Sequence, residues 1–172
     1  VSTYSLIIEP GTRLALRGGR EGDDEATVVA WSHIGERLKD ELGLARYEVA
    51  NHAAAGSYCR HNVDIWYGAR FLGAGPSACW FVGNIRLRNP PDLRRWLKSE
   101  SPEPDELSAP ARAAEILATG LRTTAGWQAE LFRQRTGMDW PDLCGRAITH
   151  LIDEGLLETA ADTLRPTRRG LL

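Results

Sequence analysis

The first apolar run, Ser2-Thr3-Tyr4-Ser5-Leu6-Ile7-Ile8, carries its polar residues only at its start and reads as a strand buried on both faces, as in a parallel sheet. Glu9-Pro10-Gly11-Thr12 is turn chemistry, and the Gly- and charge-rich stretch to Asp24 reads as a loop. Val28, Trp31, Ile34, Leu38 and Leu42 then recur at spacings of three and four, which predicts a helix. Asp23 or Asp24 can cap its start, and Gly43 stands where a left-handed C-terminal cap belongs. Residues 44–49 read as a second strand, so the first 50 residues follow the strand, helix, strand order of a right-handed crossover unit.

Residues 50–82 show no sustained period and are dense in Gly, His and aromatic residues, with short strands expected at 70–72 and 79–82. Loops of that length usually carry function. Pro90, Pro91 and Asp92 open a short helix through Leu97, and residues 99–105 are a linker by composition. The expected division is therefore 1–98, a linker at 99–107, and a second unit at 108–172. In that unit Leu107, Ala114, Leu117 and Leu121 share a helical face behind the N-cap candidate Ser108. A second helix fits 128–134, and a third starts at Pro141 with Leu143, Ala147, Ile148, Leu151 and Ile152 as its stripe and Gly155 as its end. A small hairpin over 156–165 completes a winged-helix-like α+β arrangement.

Composition narrows the function classes. With 21 Lys+Arg against 23 Asp+Glu, a net charge of −2 and 42% apolar residues, the 172-residue chain is ordinary globular material. It lacks the basic footprint of a general nucleic-acid binder, and residues 141–156, where a reading helix would lie, hold three acids against one arginine. The winged-helix pattern is what points to a DNA-binding module, while Arg165, Arg168 and Arg169 at the hairpin are a modest basic cluster of the kind more often found on a solvated face. Cys59, Cys79 and Cys144 are too few and too far apart for a disulfide framework, which points to a reducing, cytoplasmic setting. No run approaches a membrane span and no signal-peptide pattern is present. Val1 opens directly into a strand-like run with no start methionine, so the chain reads as a fragment.

Three blocks carry chemistry: Tyr47-Glu48-Val49-Ala50-Asn51, then Cys59-Arg60-His61-Asn62-Val63-Asp64-Ile65-Trp66, then Gly73-Ala74-Gly75-Pro76-Ser77-Ala78. In that order and at short spacings they resemble the oxygen-independent coproporphyrinogen III oxidase-like family of the radical SAM superfamily, its heme-chaperone branch nearest. Tyr4 to Thr12 and the segments around 107–122, 155–157 and 169–170 resemble the same family, so the likeness covers nearly the whole chain.

The resemblance implies an α/β chain in which residues 1–98 are the C-terminal part of a partial TIM-like (β/α) barrel with flanking strands, followed by the small C-terminal domain. It implies heme binding by His61, Asn62 and Trp66, with His61 as ligand to the heme iron, Asn62 orienting the imidazole and Trp66 stacking on the porphyrin. Ile65 departs from the family's pattern, which has Tyr there, although Tyr67 follows. The plainer reading makes His61 and Asn62 loop hydrogen-bond partners. Arg60 could pair with a propionate or be an ordinary surface arginine. Glu48, Asn51, Gly73, Gly75 and Pro76 would form a SAM or substrate loop, or else loop caps and a tight turn.

The family's C-x-x-x-C-x-x-C, which holds a 4Fe-4S cluster, has no counterpart in this chain. Reductive cleavage of S-adenosylmethionine by these residues alone is excluded on coordination grounds, so the chain should be inactive by itself. The expected partners are heme or porphyrin and a heme-acceptor protein, a membrane-associated one included, and no nucleic acid. An oxygen-independent coproporphyrinogen III dehydrogenase or oxidase is the alternative.

Overall fold

The computed structural model describes residues 1–19 and 24–172. Asp23 and the rest of residues 20–23 lie outside the described residues, so the expected aspartate cap there does too. Thr12 starts a short helix α1 (Arg13–Leu16) by accepting a hydrogen bond at Oγ1 from the amide of Ala15, so part of the expected loop is helical. Helix α2 (Asp24–Leu42) follows the predicted period and ends at Gly43, whose φ of 67° supplies the left-handed cap.

The expected parallel crossover does not form. Residues 1–3 lie antiparallel to residues 50–52, with Thr3 N donating to Ala50 O at 2.8 Å and His52 N to Val1 O at 2.8 Å. The pairing stops after one bridge, and Tyr4, Leu6 and Ile7 are 75%, 63% and 68% exposed. An apolar run says that a segment can be buried, not that a cover is present. Residues 44–49 likewise give only β1 (Ala45–Arg46), paired with β2 (His52–Ala53) in a two-stranded antiparallel ladder. The loop between them docks elsewhere: Glu48 bridges Thr123, and Val49 N donates to Arg122 O at 2.9 Å.

Within the stretch expected to be irregular lies helix α3 (Arg60–Trp66). No strand forms at 70–72. Strands β3 (Cys79–Val82) and β4 (Ile85–Arg88) make a hairpin, and after the short helix α4 (Leu93–Leu97), capped by Asp92, comes β5 (Glu103–Glu106). The antiparallel order is β3-β4-β5, so part of the expected linker is a strand. Across the ladder Arg86 stands opposite Asp105, with which it forms an ion pair, and Arg88 stands opposite Glu103, while Pro104 is tolerated because β5 is an edge.

Helix α5 (Ala109–Gly120), capped by Ser108, is followed by β6 (Trp127–Gln128), α6 (Ala129–Thr136), α7 (Trp140–Asp153) and the hairpin of β7 (Leu157–Ala160) with β8 (Thr163–Pro166). The second three-stranded sheet has the order β6-β8-β7. Ile116, Leu117, Trp127, Phe132, Ile148, Leu157 and Leu164 form one closed core between these helices and this sheet. Trp127 is edge-on to Phe132 at 5.3 Å and donates its Nε1 hydrogen to the carbonyls of Ile116 and Leu117. Among the described residues no helix is long and apolar enough to cross a membrane.

Candidate functional site

Helix α3 is gripped at both ends. Ahead of it, Tyr47 stacks on Tyr58 with ring centroids 4.5 Å apart, and its hydroxyl accepts from the amide of Cys59 at 3.3 Å. Behind it, Thr119 Oγ1 donates to the Trp66 carbonyl at 3.0 Å. The Tyr67 hydroxyl bonds Thr123 Oγ1 and the Gly126 carbonyl, each at 2.8 Å, and its ring is edge-on to Trp127. Burial raises the Tyr67 phenol's pKa, so the phenol is a neutral packing group. Gly68 then turns the chain at φ 75°, and any Cβ there would lie 3.0 Å from Ile116 Cγ1.

Between these anchors His61 is exposed, and it makes no hydrogen bond or ion pair among the described residues. The loop-partner reading therefore finds no partner for it. One helical turn on, Ile65 shares its face. Ile65 and Trp66 line a cleft of about 350 Å³ together with Phe71, Phe81 and Arg112.

The expected trio does not converge. Asn62 is adjacent on the helix, about 100° around the axis from His61, and makes no hydrogen bond to it. Trp66, five positions on, is about 140° away around the axis. Its ring lies under the Arg122 guanidinium at 4.6 Å, and its Nε1 is buried without a partner. Asn62 and Trp66 share a face, and His61 shares one with Ile65.

Glu48 and Asn51 are internal. Glu48 is fully buried, with Oε1 accepting from Ala50 N at 3.1 Å and Oε2 unpaired. Asn51 Oδ1 accepts a short bond from the Ser2 hydroxyl. Beside them, and unanticipated from sequence, His52 is 1% exposed, and its Nε2 accepts from Arg46 Nε at 3.4 Å. Arg46 also covers the Trp31 ring at 4.9 Å. Burial, with Arg46 adding to it, lowers the His52 pKa. No local spacing marks this group, because Trp31 comes from α2 and the others from the hairpin.

The glycine loop closes on its own sheet. A Cβ at Gly73 would lie 2.4 Å from the Cys79 carbonyl oxygen, so the close approach is to β3. The Gly75 carbonyl, at a residue of φ 102°, accepts from Asn89 Nδ2 at 2.9 Å. Pro76 is exposed, and none of the three lines the cleft at α3. All three cysteines are free thiols, and no group of three or more His, Cys, Asp or Glu among the described residues could hold a metal ion. The residues present do not fit an iron–sulfur cluster, and no step is derived through one.

Residues 107–172 match the family model described as the HemN C-terminal domain. Over 132 residues the chain is 33% identical to heme chaperone HemW of Mycobacterium tuberculosis, covering 74% of this chain and 29% of that protein. It is 26% identical over 180 residues to heme chaperone HemW of Bacillus subtilis, covering 99% of this chain and 48% of the relative. The fold superposes on coproporphyrinogen III oxidase (HemN) of Escherichia coli, a radical SAM enzyme, with a TM-score of 0.68 at 12% identity over 91% of this chain and 42% of that one. The chain thus spans less than half the length of each of these proteins. In sequence the chain resembles the C-terminal portion of the oxygen-independent coproporphyrinogen III oxidase-like family, with residues 107–172 matching the HemN C-terminal domain, and its fold is that of the corresponding part of HemN.

Proposed function

We propose that this chain is the heme-holding portion of a cytoplasmic heme chaperone, in which His61 ligates the iron and α3 presents the heme for transfer to an acceptor protein. One observation carries the reading: His61 is exposed at the first turn of a helix anchored at both ends, and nothing among the described residues claims its imidazole. A neutral imidazole is a good axial ligand for heme iron. Its helix is fixed, so the nitrogen is presented without ordering a loop. An open position also suits cargo that must leave, since an acceptor can approach the metal without unfolding the donor.

The identity to heme chaperones supports this reading. The fold likeness to coproporphyrinogen III oxidase favours a second, in which the chain is part of a coproporphyrinogen III dehydrogenase. In either case the cluster and S-adenosylmethionine would be held by residues outside this chain. The division into the closing part of a barrel at 1–98 and a winged-helix-like domain at 108–172 belongs to the same proposal. The separate core of 113–164 and the bare apolar residues Leu6 and Ile7 support it.

Hemin titration tests the ligand. With His61→Ala the expected result is a weaker complex, by about tenfold or more, with a shifted Soret band. Equal affinity and an unchanged Soret band would remove His61 from the site.

A further inference from the structure

The cleft beside α3 does not end at Phe81. A second cleft of about 260 Å³ shares Gly68, Phe81 and Arg112 with it, and its further lining includes Arg70, Arg135 and Asn84 beside Ala109 and Ile116. The shared wall is a cation–π pair, with the Arg112 guanidinium 3.7 Å from the Phe81 ring centroid. The first cleft is mostly aromatic and aliphatic, with the Arg86–Glu115 ion pair at its edge, and the second holds three arginines and no acid.

No acidic residue lines the second cleft. The acids nearest Arg112 are already engaged. Glu115 bonds Arg86 at 2.8 Å and Arg112 at 3.4 Å, and Asp105 bonds Arg86 in turn. Two arginines against two carboxylates balance there. Arg70 and Arg135 have no ion pair or hydrogen bond among the described residues, so their charge is the surplus facing the cleft. Arg112 is also partly desolvated: burial lowers its pKa, with Arg86 adding and Glu115 opposing. A desolvated guanidinium beside two unpaired ones is a setting an incoming carboxylate would relieve.

We propose that the two clefts form one seat for a flat dicarboxylate porphyrin, its ring against Ile65, Phe71 and Phe81 and its propionates on Arg70, Arg112 and Arg135. This rests on the heme-holding reading and adds the recognition of the acid groups. His61 lines neither cleft; it stands one turn, about 6 Å along the helix axis, from Ile65 and on the same face. An iron held by His61 would thus belong to the Ile65 end of the seat and the acids to the arginine end. The Arg60 reading is not needed.

Metal-free protoporphyrin IX offers no iron for His61, so its binding reports the seat alone. Protoporphyrin IX and its dimethyl ester are titrated, by tryptophan fluorescence quenching, into the full chain, Arg70→Gln, Arg135→Gln, the double variant and Arg94→Gln. Arg70, Arg94 and Arg135 are exposed and without ion pairs, so their loss should leave the fold intact, which circular dichroism checks. The wild type is expected to prefer the free acid by about tenfold, each single variant to lose part of that preference, the double variant to lose most of it, and Arg94→Gln to keep it. Equal binding of acid and ester, a preference that survives the double variant, or an equal loss with Arg94→Gln would each overturn the proposal. Failure to bind either porphyrin would overturn it too. Hemin ligation through His61 without acid preference would refute the arginine seat alone. Acid preference with no His61 effect would refute the ligand assignment alone.

Discussion

The segment from 109 onward and the segment before 59 solve the problem of burial in opposite ways. The first closes an apolar core around Phe132, Leu164 and Trp127, each at most 2% exposed. The second buries polar groups beside Tyr47 and Ala50: Glu48, Asn51 and His52 are inside, while Tyr4, Leu6, Ile7, Leu16 and Leu42 stand in solvent. Its pieces are joined by directed bonds, such as Trp31 Nε1 donating to Thr3 Oγ1 at 2.8 Å and Arg46 reaching the Leu171 carbonyl at 3.2 Å. Apolar packing is non-directional and spread over many contacts, whereas a buried hydrogen bond is stabilising only while both partners are present. The region that carries His61 lies between the two and borrows its rigidity from the core through Tyr67 and Thr119.

That contrast can be broken most severely in the core. Phe132→Ala should cost about 3–5 kcal/mol in chemical denaturation, because a fully buried ring leaves a cavity its neighbours cannot fill. A loss under about 1 kcal/mol would mean the core is not closed. Tyr67→Phe should cost about 1–2 kcal/mol, since the Thr123 hydroxyl and Gly126 carbonyl both lose a partner. Exchange at the amides of α3 should rise with it, and unchanged exchange would uncouple the helix from the core.

The polar half predicts a pH effect. His52 is held neutral in the native state and takes a proton more readily when unfolded, so its contribution is present above the ordinary value of 6.5 and is lost as pH falls below it. Urea midpoints between pH 7.5 and 5 should therefore fall more steeply in the wild type than in His52→Gln, and parallel slopes would refute this. The smallest effect belongs to the bare apolar run: Ile7→Ser should move stability by no more than about 0.5 kcal/mol. A larger loss would show Ile7 to be covered in solution.

Where one element supplies the whole signal, the fold was legible in the sequence. The period of three and four gave α2 and α7, Ser108 and Gly43 marked real ends, and the hairpin of β7 and β8 followed from two short runs around Asp162. What failed depended on distant partners. The acidic stretch at 103–106 reads as linker until Arg86 and Arg88 are set opposite it. Of the candidate site, His61 was legible as a residue type in a motif, but its geometry was not. A seven-residue helix without a side-chain cap leaves too little period to show that Trp66 turns away from His61 and Ile65 turns with it. Arg70, Arg112 and Arg135 come from three separate segments, and no spacing predicts their convergence.

The most direct test of His61 as the presented ligand is the electron paramagnetic resonance spectrum of the hemin complex in three variants. The chain has four histidines, of which His33 and His150, like His61, are exposed. The account predicts that the histidine-ligated signal survives His33→Ala and His150→Ala and is lost in His61→Ala. Loss in either control with retention in His61→Ala would contradict it.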